Sequence, residues 1–136
     1  MRITCPHCGA RDAQEFNLPF PPLDVYRQYV DRVRQACADS GRDPATLRTT
    51  VALVLCCGRN ETEFRRRADA IGREPDELRA NGAAGLPAEI VDKLRAFAAA
   101  GAETAYLQVL DVSDLEHLEL VAAEVMPEVG ATAGAA

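Results

Sequence analysis

The sequence predicts an α/β fold built on a parallel sheet or barrel, and two stretches near its C-terminus carry that prediction. The first is 81–101, where Ile90, Val91, Leu94, Phe97 and Ala98 recur at helical spacing while Asp92, Lys93, Arg95 and Ala96 fall largely elsewhere, so a helix is expected from about residue 87 to 100. The second is AETAYLQVL after the helix stop at Gly101, a short run apolar enough for a strand covered on both faces. A closing helix follows, with Leu115, Leu118, Val121, Ala122 and Val125 as its expected buried stripe and Pro127 as its end. Loop, helix, strand and helix in succession are the repeating unit of such sheets.

Start and stop signals support the same map. Asn60 with Glu63, and Ser113 with Glu116, have the spacing of capping boxes for two helices. GRDPATL at Gly41 and GREPDEL at Gly72 each read as a helix stop followed by a proline-opened turn. Residues 128–136, rich in Gly and Ala, read as a disordered tail with nothing to pack.

Composition narrows the class. Of 136 residues, 48% are hydrophobic and 26% charged, an ordinary globular balance, and 5% aromatic residues with no Trp imply an aliphatic core. A net charge of -6 gives no electrostatic footprint for nucleic acid, and the arginine run in EFRRRADA reads as a solvated helix face beside acidic neighbours. No apolar run approaches the roughly 18 residues of a membrane span and MRITCPHC lacks a signal-peptide core, so a cytoplasmic protein without membrane or nucleic-acid partners is expected.

Several ordered motifs carry a family resemblance. FNLPFPPLD, then ACADSGRDPATLRTTVALVLCCGRNETEFRRRADAIG, a glycine turn before Pro87, VDKLRAFAAAG, a strand ending YLQVL and a helix ending EVMP resemble the C-terminal part of the luciferase-like monooxygenases. These are oxidoreductases dependent on flavin or coenzyme F420. The resemblance covers residues 10–127 and implies a partial (β/α)8 TIM barrel, its C-terminal third with about three to four βα units, since a whole barrel takes about 250 residues. By the resemblance AQEFNLP, LRTTVALVLCCG, NGAAG and TAYLQVL are its strands. The implied cofactor is coenzyme F420 or FMN, and the N-terminal strands and glycine-rich phosphate loop would be missing.

Residues 1–9 form a separate segment with a C-x-x-C knuckle, Cys5 and Cys8. Such a spacer lets two thiolates turn toward one zinc ion, which makes the pair half a site. Three readings stay open: a zinc pair completed by Cys37 or another chain, a redox dithiol, or thiols with no assigned role. The opening MRITCPHCGARDAQEF also resembles the zinc-binding delta subunit of sarcosine oxidase over about sixteen residues. Cys56 and Cys57, adjacent at the end of a predicted strand, point to opposite faces and read as packing residues.

In a barrel, chemistry gathers at the C-terminal ends of strands, which selects Asn17, Gly58, Gly85, Gln108 and Asp111. Gly85 and Gln108 are the candidate cofactor-binding residues, the first because a glycine turn at a helix start exposes N–H groups to an anion or an isoalloxazine edge. Leu86, where the family more often has a hydroxyl residue, can neither cap that helix nor bond a ligand. His117 is placed on the polar side of the last helix, and no catalytic constellation or nucleotide-binding motif is present. The reading is a truncated luciferase-like oxidoreductase, whose parent class transfers hydride or oxygen on a small organic substrate, with catalysis by this chain alone in doubt. The alternatives are a non-enzymatic interaction module, associating with itself or a partner through open barrel edges, and a small zinc-binding accessory subunit.

Overall fold

A computed structural model describes residues 2–3 and 10–133, with side chains from 10 to 130. The chain divides into two compact units, one of Met1–Ala52 and Phe97–Tyr106, the other of Leu53–Ala96 and Leu107–Ala136. Cys5, Cys8 and His7 lie outside the described residues.

The first unit holds β1 (Arg2–Ile3), β2 (Glu15–Pro19), α1 (Leu23–Asp39), a 3-10 turn at Pro44–Thr46 and the first half of β3 (Arg48–Cys57). β1 pairs with β2 and β2 with β3, all parallel, with Phe16 opposite Thr49 and Leu18 opposite Val51. Parallel neighbours need a crossover, and α1 supplies it between β2 and β3. Its stripe of Tyr26, Val30, Val33 and Cys37 recurs every three or four positions and is buried. Phe16, Val33, Cys37 and Leu47 form the core with Ala10 and Ala13. Arg42 fastens the turn after α1 by donating to the carbonyl of Ala13 at 2.7 Å.

Cys37 is therefore enclosed in apolar surroundings, and the reading that it completes a zinc site is not supported. Among the described residues no group of three or more His, Cys, Asp or Glu could hold a metal ion. On the opposite face of β2 the Asn17 amide donates to Thr50 Oγ1 at 3.0 Å, and that hydroxyl donates to Glu15 at 2.7 Å.

The second unit begins with the second half of β3 and continues through α2 (Glu61–Ala70), α3 (Pro75–Asn81), β4 (Ala83–Gly85) and most of α4 (Pro87–Ala99). β5 (Thr104–Gln108) starts in the first unit and ends in the second, where α5 (Leu115–Glu124) and α6 (Met126–Ala133) follow. β4 runs parallel to β3, with Leu55 opposite Ala83 and Cys57 opposite Gly85. Val54, Cys56, Phe64, Ala68, Leu78 and Ala84 make this unit's core. Gly58 belongs there because any Cβ would collide with the Phe64 backbone at the start of α2. As expected, α2 is capped by Asn60, whose side chain accepts from Glu63 N–H at 2.9 Å.

The expected strands and the helices at 23–39, 61–70 and 87–99 are present, and five expectations need correction. The proline-opened turn at 75 is a two-turn helix, α3, because Pro75 sits at its first position and Leu78 gains a buried contact in the core. The cap of α5 is Asp114 rather than Ser113; Asp114 accepts from His117 N–H at 3.1 Å while Ser113 turns back to Asp111. The buried stripe of α5 is His117, Leu120, Val121 and Val125, while Leu115, Leu118 and Ala122 are exposed. β5 is half-buried rather than covered on both faces, with one described neighbour, β3. Residues 128–133, read as tail, lie within α6, where Arg95 donates to the Glu128 carbonyl at 3.3 Å.

The Tyr26 ring in the first unit meets Phe97 edge-on with centroids 5.4 Å apart, and its buried hydroxyl lies near Thr49 without a well-formed hydrogen bond. Burial pushes its pKa up to about 12. A poorly satisfied buried hydroxyl adds little, so Tyr26→Phe is expected to leave the stability in urea unfolding unchanged or raise it by up to about 1 kcal/mol; a clear loss would show that the hydroxyl is well bonded.

Candidate functional site

The C-terminal ends of β3 and β4 lie together in the second unit, and their peptide groups define the site. Successive residues of a parallel strand aim their N–H and C=O groups at alternate edges. Gly58 N–H reaches the Gly85 carbonyl at 3.1 Å, so the peptide groups of Cys57 face away from β4. Two side chains meet them there instead of a strand. His117 Nε2 accepts from Cys57 N–H at 2.9 Å, and Arg67 Nη1 donates to the Cys57 carbonyl at 3.0 Å.

Arg67 is the hub of this arrangement. Its side chain is 5% exposed, Nε donates to Asp114 Oδ2 at 2.7 Å, and Nη1 also pairs with Glu63 one turn earlier on α2. Burial opposes its charge, yet the two carboxylates outweigh burial and raise its pKa. The Arg67 hydrogen bond holds Asp114 below the usual carboxylate range. For Glu63 burial acts upward, but Arg67 and Arg59 prevail and its pKa is lowered. Asp114 thus pairs with α2 and caps α5 with one carboxylate.

His117 is buried, chiefly by desolvation its pKa is lowered, and Nε2 is an acceptor, so the ring is neutral with its proton on Nδ1. The adjoining cavity has a volume of about 20 Å³, room for about one water, and is lined by Leu55, Cys56, Arg67, Leu110, Asp114 and His117 among others. Burial raises Cys56 to about 11 and Cys57 to about 12, which makes both thiols poor nucleophiles.

Gly85 ends β4 with φ 119°, and the position its Cβ would take is filled by the Glu89 carboxylate. Glu89 Oε2 accepts from Leu86 N–H at 2.6 Å and lies 3.4 Å from Arg79 Nη2. Arg79 in turn grips Glu61 at 2.5 and 2.9 Å and stacks on Phe64. Glu89 supplies half of a capping box where Leu86 cannot supply the other half. Gln108 ends β5 exposed, and Asp111 accepts from Ser113 before α5. Asn17, in the first unit, is bonded to Thr50.

His117, expected on a polar helix face, and Arg67, expected on a solvated one, are both buried. One signal was available for Arg67, its position four residues after Glu63 in an otherwise apolar phase of α2 with Phe64 and Ala68. The cavity beside His117 holds about one water, and the N-terminus of α4 already faces a carboxylate, so neither feature by itself seats a flavin or deazaflavin.

No family model matches the sequence, and no curated protein matches it. Solved structures do. The coenzyme F420 dependent tetrahydromethanopterin reductase from Methanopyrus kandleri aligns with a TM-score of 0.72 at 14% identity, over 93% of this chain and 49% of that one. The EDTA monooxygenase from Chelativorans sp. BNC1 gives a TM-score of 0.72 at 13% identity, over 93% of this chain and 44% of its own. An F420-dependent secondary alcohol dehydrogenase, solved with an F420-acetone adduct, gives 0.71 at 11% identity over 91% of this chain and 45% of that one. The chain therefore has the α/β fold of part of a TIM barrel, and spans about half the length of the structures it matches. Among the described residues, no helix is long and apolar enough to cross a membrane.

Arg67→Met is expected to destabilise the chain by about 3–5 kcal/mol in urea unfolding, because two carboxylates and the Cys57 carbonyl lose their partner. Arg65→Ala, at the exposed pair with Glu61, should stay within about 1 kcal/mol. Equal losses would place the importance of Arg67 elsewhere.

Proposed function

We propose that this chain contributes part of the barrel of a luciferase-like oxidoreductase, of the class that uses coenzyme F420 or FMN to transfer hydride or oxygen on a small organic substrate, and that it does not complete the reaction alone. The observation that supports this most is the fold match over 93% of the chain to an F420-dependent reductase, of which it covers 49%. The N-terminus of α4, already occupied by the Glu89 carboxylate, supports the second half of the proposal: further strands complete the pocket. Gly85 and Gln108, at strand ends of that unit, would border it. When bound, the cofactor carries the redox step, and the chain's residues serve to orient and enclose it.

A non-enzymatic interaction module is the second reading, favoured by the exposed Leu110, Val112, Leu115 and Leu118 in one short stretch. Light scattering across protein concentration, with FMN and coenzyme F420 titrated into each species and followed by cofactor fluorescence, separates the two. The monomer is expected to bind neither cofactor and an assembled species to bind one. Assemblies that bind neither would leave the interaction module, and a monomer that binds and turns over would overturn the need for further strands.

A further inference from the structure

We propose that His117 is a proton-operated latch that holds the start of α5 on the open edge of β3. The geometry gives the imidazole one job that only its neutral form can do. Nε2 accepts the Cys57 N–H at 2.9 Å, so a proton on Nε2 would set two donors against each other. His117 is 5% exposed, so an imidazolium there would be largely cut off from solvent. A second cation would also lie beside the buried Arg67 guanidinium, which already bonds the carbonyl of the same residue.

The charged groups around His117 do not offset this. From α2, Arg67 opposes the imidazolium and Glu63 favours it; from the loop before α5, Asp114 and Asp111 favour it; from β3 come only the neutral thiols of Cys56 and Cys57. Asp114 and Glu63 are both engaged by Arg67, and Asp111 by Ser113. Burial and Arg67 prevail, and the folded state holds the proton less tightly than the unfolded chain. A depressed folded value means that the stability given by the neutral ring is fully present above about pH 6.5 and is lost as pH falls through the folded value. Asp114 and Glu63 are themselves lowered, so they titrate further into acid and do not contribute in the upper part of this window.

Release has a defined local result. Protonation frees Cys57 N–H and leaves the first turn of α5, with its Asp114 cap intact, held to α2 through Arg67. The device is independent of which reaction the barrel serves.

Amide hydrogen exchange of the full chain between about pH 7 and pH 5, corrected for the intrinsic pH dependence, reads it directly at Cys57. Protection there is expected to fall by up to about tenfold per pH unit in the wild type. It should stay flat in His117→Gln, whose amide oxygen can accept the same N–H without titrating. Flat wild-type protection, or the same fall in His117→Gln, overturns the latch. Should that variant fail to fold by circular dichroism, the wild-type NMR titration decides. A His117 midpoint below about 6.5, shared by the Cys57 amide, supports the latch, and an ordinary midpoint with an unmoved amide overturns it.

Discussion

The buried guanidinium of Arg67 is the interaction on which the second unit depends. A strand that runs past its neighbours leaves peptide groups that must find partners, and burying them unpaired is costly. Here the end of β3 is finished by side chains from two helices, and one arginine joins them: it binds the Cys57 carbonyl, the α2 carboxylate of Glu63 and the α5 cap of Asp114. Lysine would not replace it, since three partners at different angles need the fork of a guanidinium. The positions of α2, β3 and the start of α5 are thus set by one ionic junction as well as by the apolar cluster around Phe64.

How much of this could be read in the sequence follows from which signals are local. The strand at 48–57 and the helices at 23–39 and 87–99 declare themselves by composition and spacing, and the Asn60 cap by its own side chain. The phase of α5 was misread because it carries two apolar stripes. Leu115 and Leu118 compete with Leu120, Val121 and Val125, and what decides between them is a histidine that bonds β3 and a cap that bonds Arg67. A histidine on an amphipathic helix counts as polar until its acceptor finds a buried N–H, and that N–H is sixty residues away in the chain. Arg67 was hidden for the same reason, inside a run of three arginines of which two are exposed. Ser113 and Asp114 are adjacent and equally able to cap; the pull of Arg67 selects Asp114.

The candidate site shows the same division. Strand ends at Gly58, Gly85 and Gln108 were foreseeable because barrels place chemistry there, and the structure puts them at strand ends in one unit. What occupies the neighbourhood was not foreseeable. Glu89 was an ordinary surface residue of α4 until its carboxylate folded back to Leu86 N–H, with Arg79 and Glu61 behind it. A glycine turn at a helix start suggests a seat for an anion, and this chain seats one of its own.

The paired cysteines have a consequence for how the chain withstands its surroundings. Two neighbouring thiols at a strand end would ordinarily invite peroxides, alkylating agents and adventitious metals. Burial raises Cys56 to about 11 and Cys57 to about 12, so thiolate is scarce there at neutral pH, and both residues are buried. In the folded chain they behave as small hydrocarbon groups, and their alkylation or oxidation becomes a record of how long the protein has spent open.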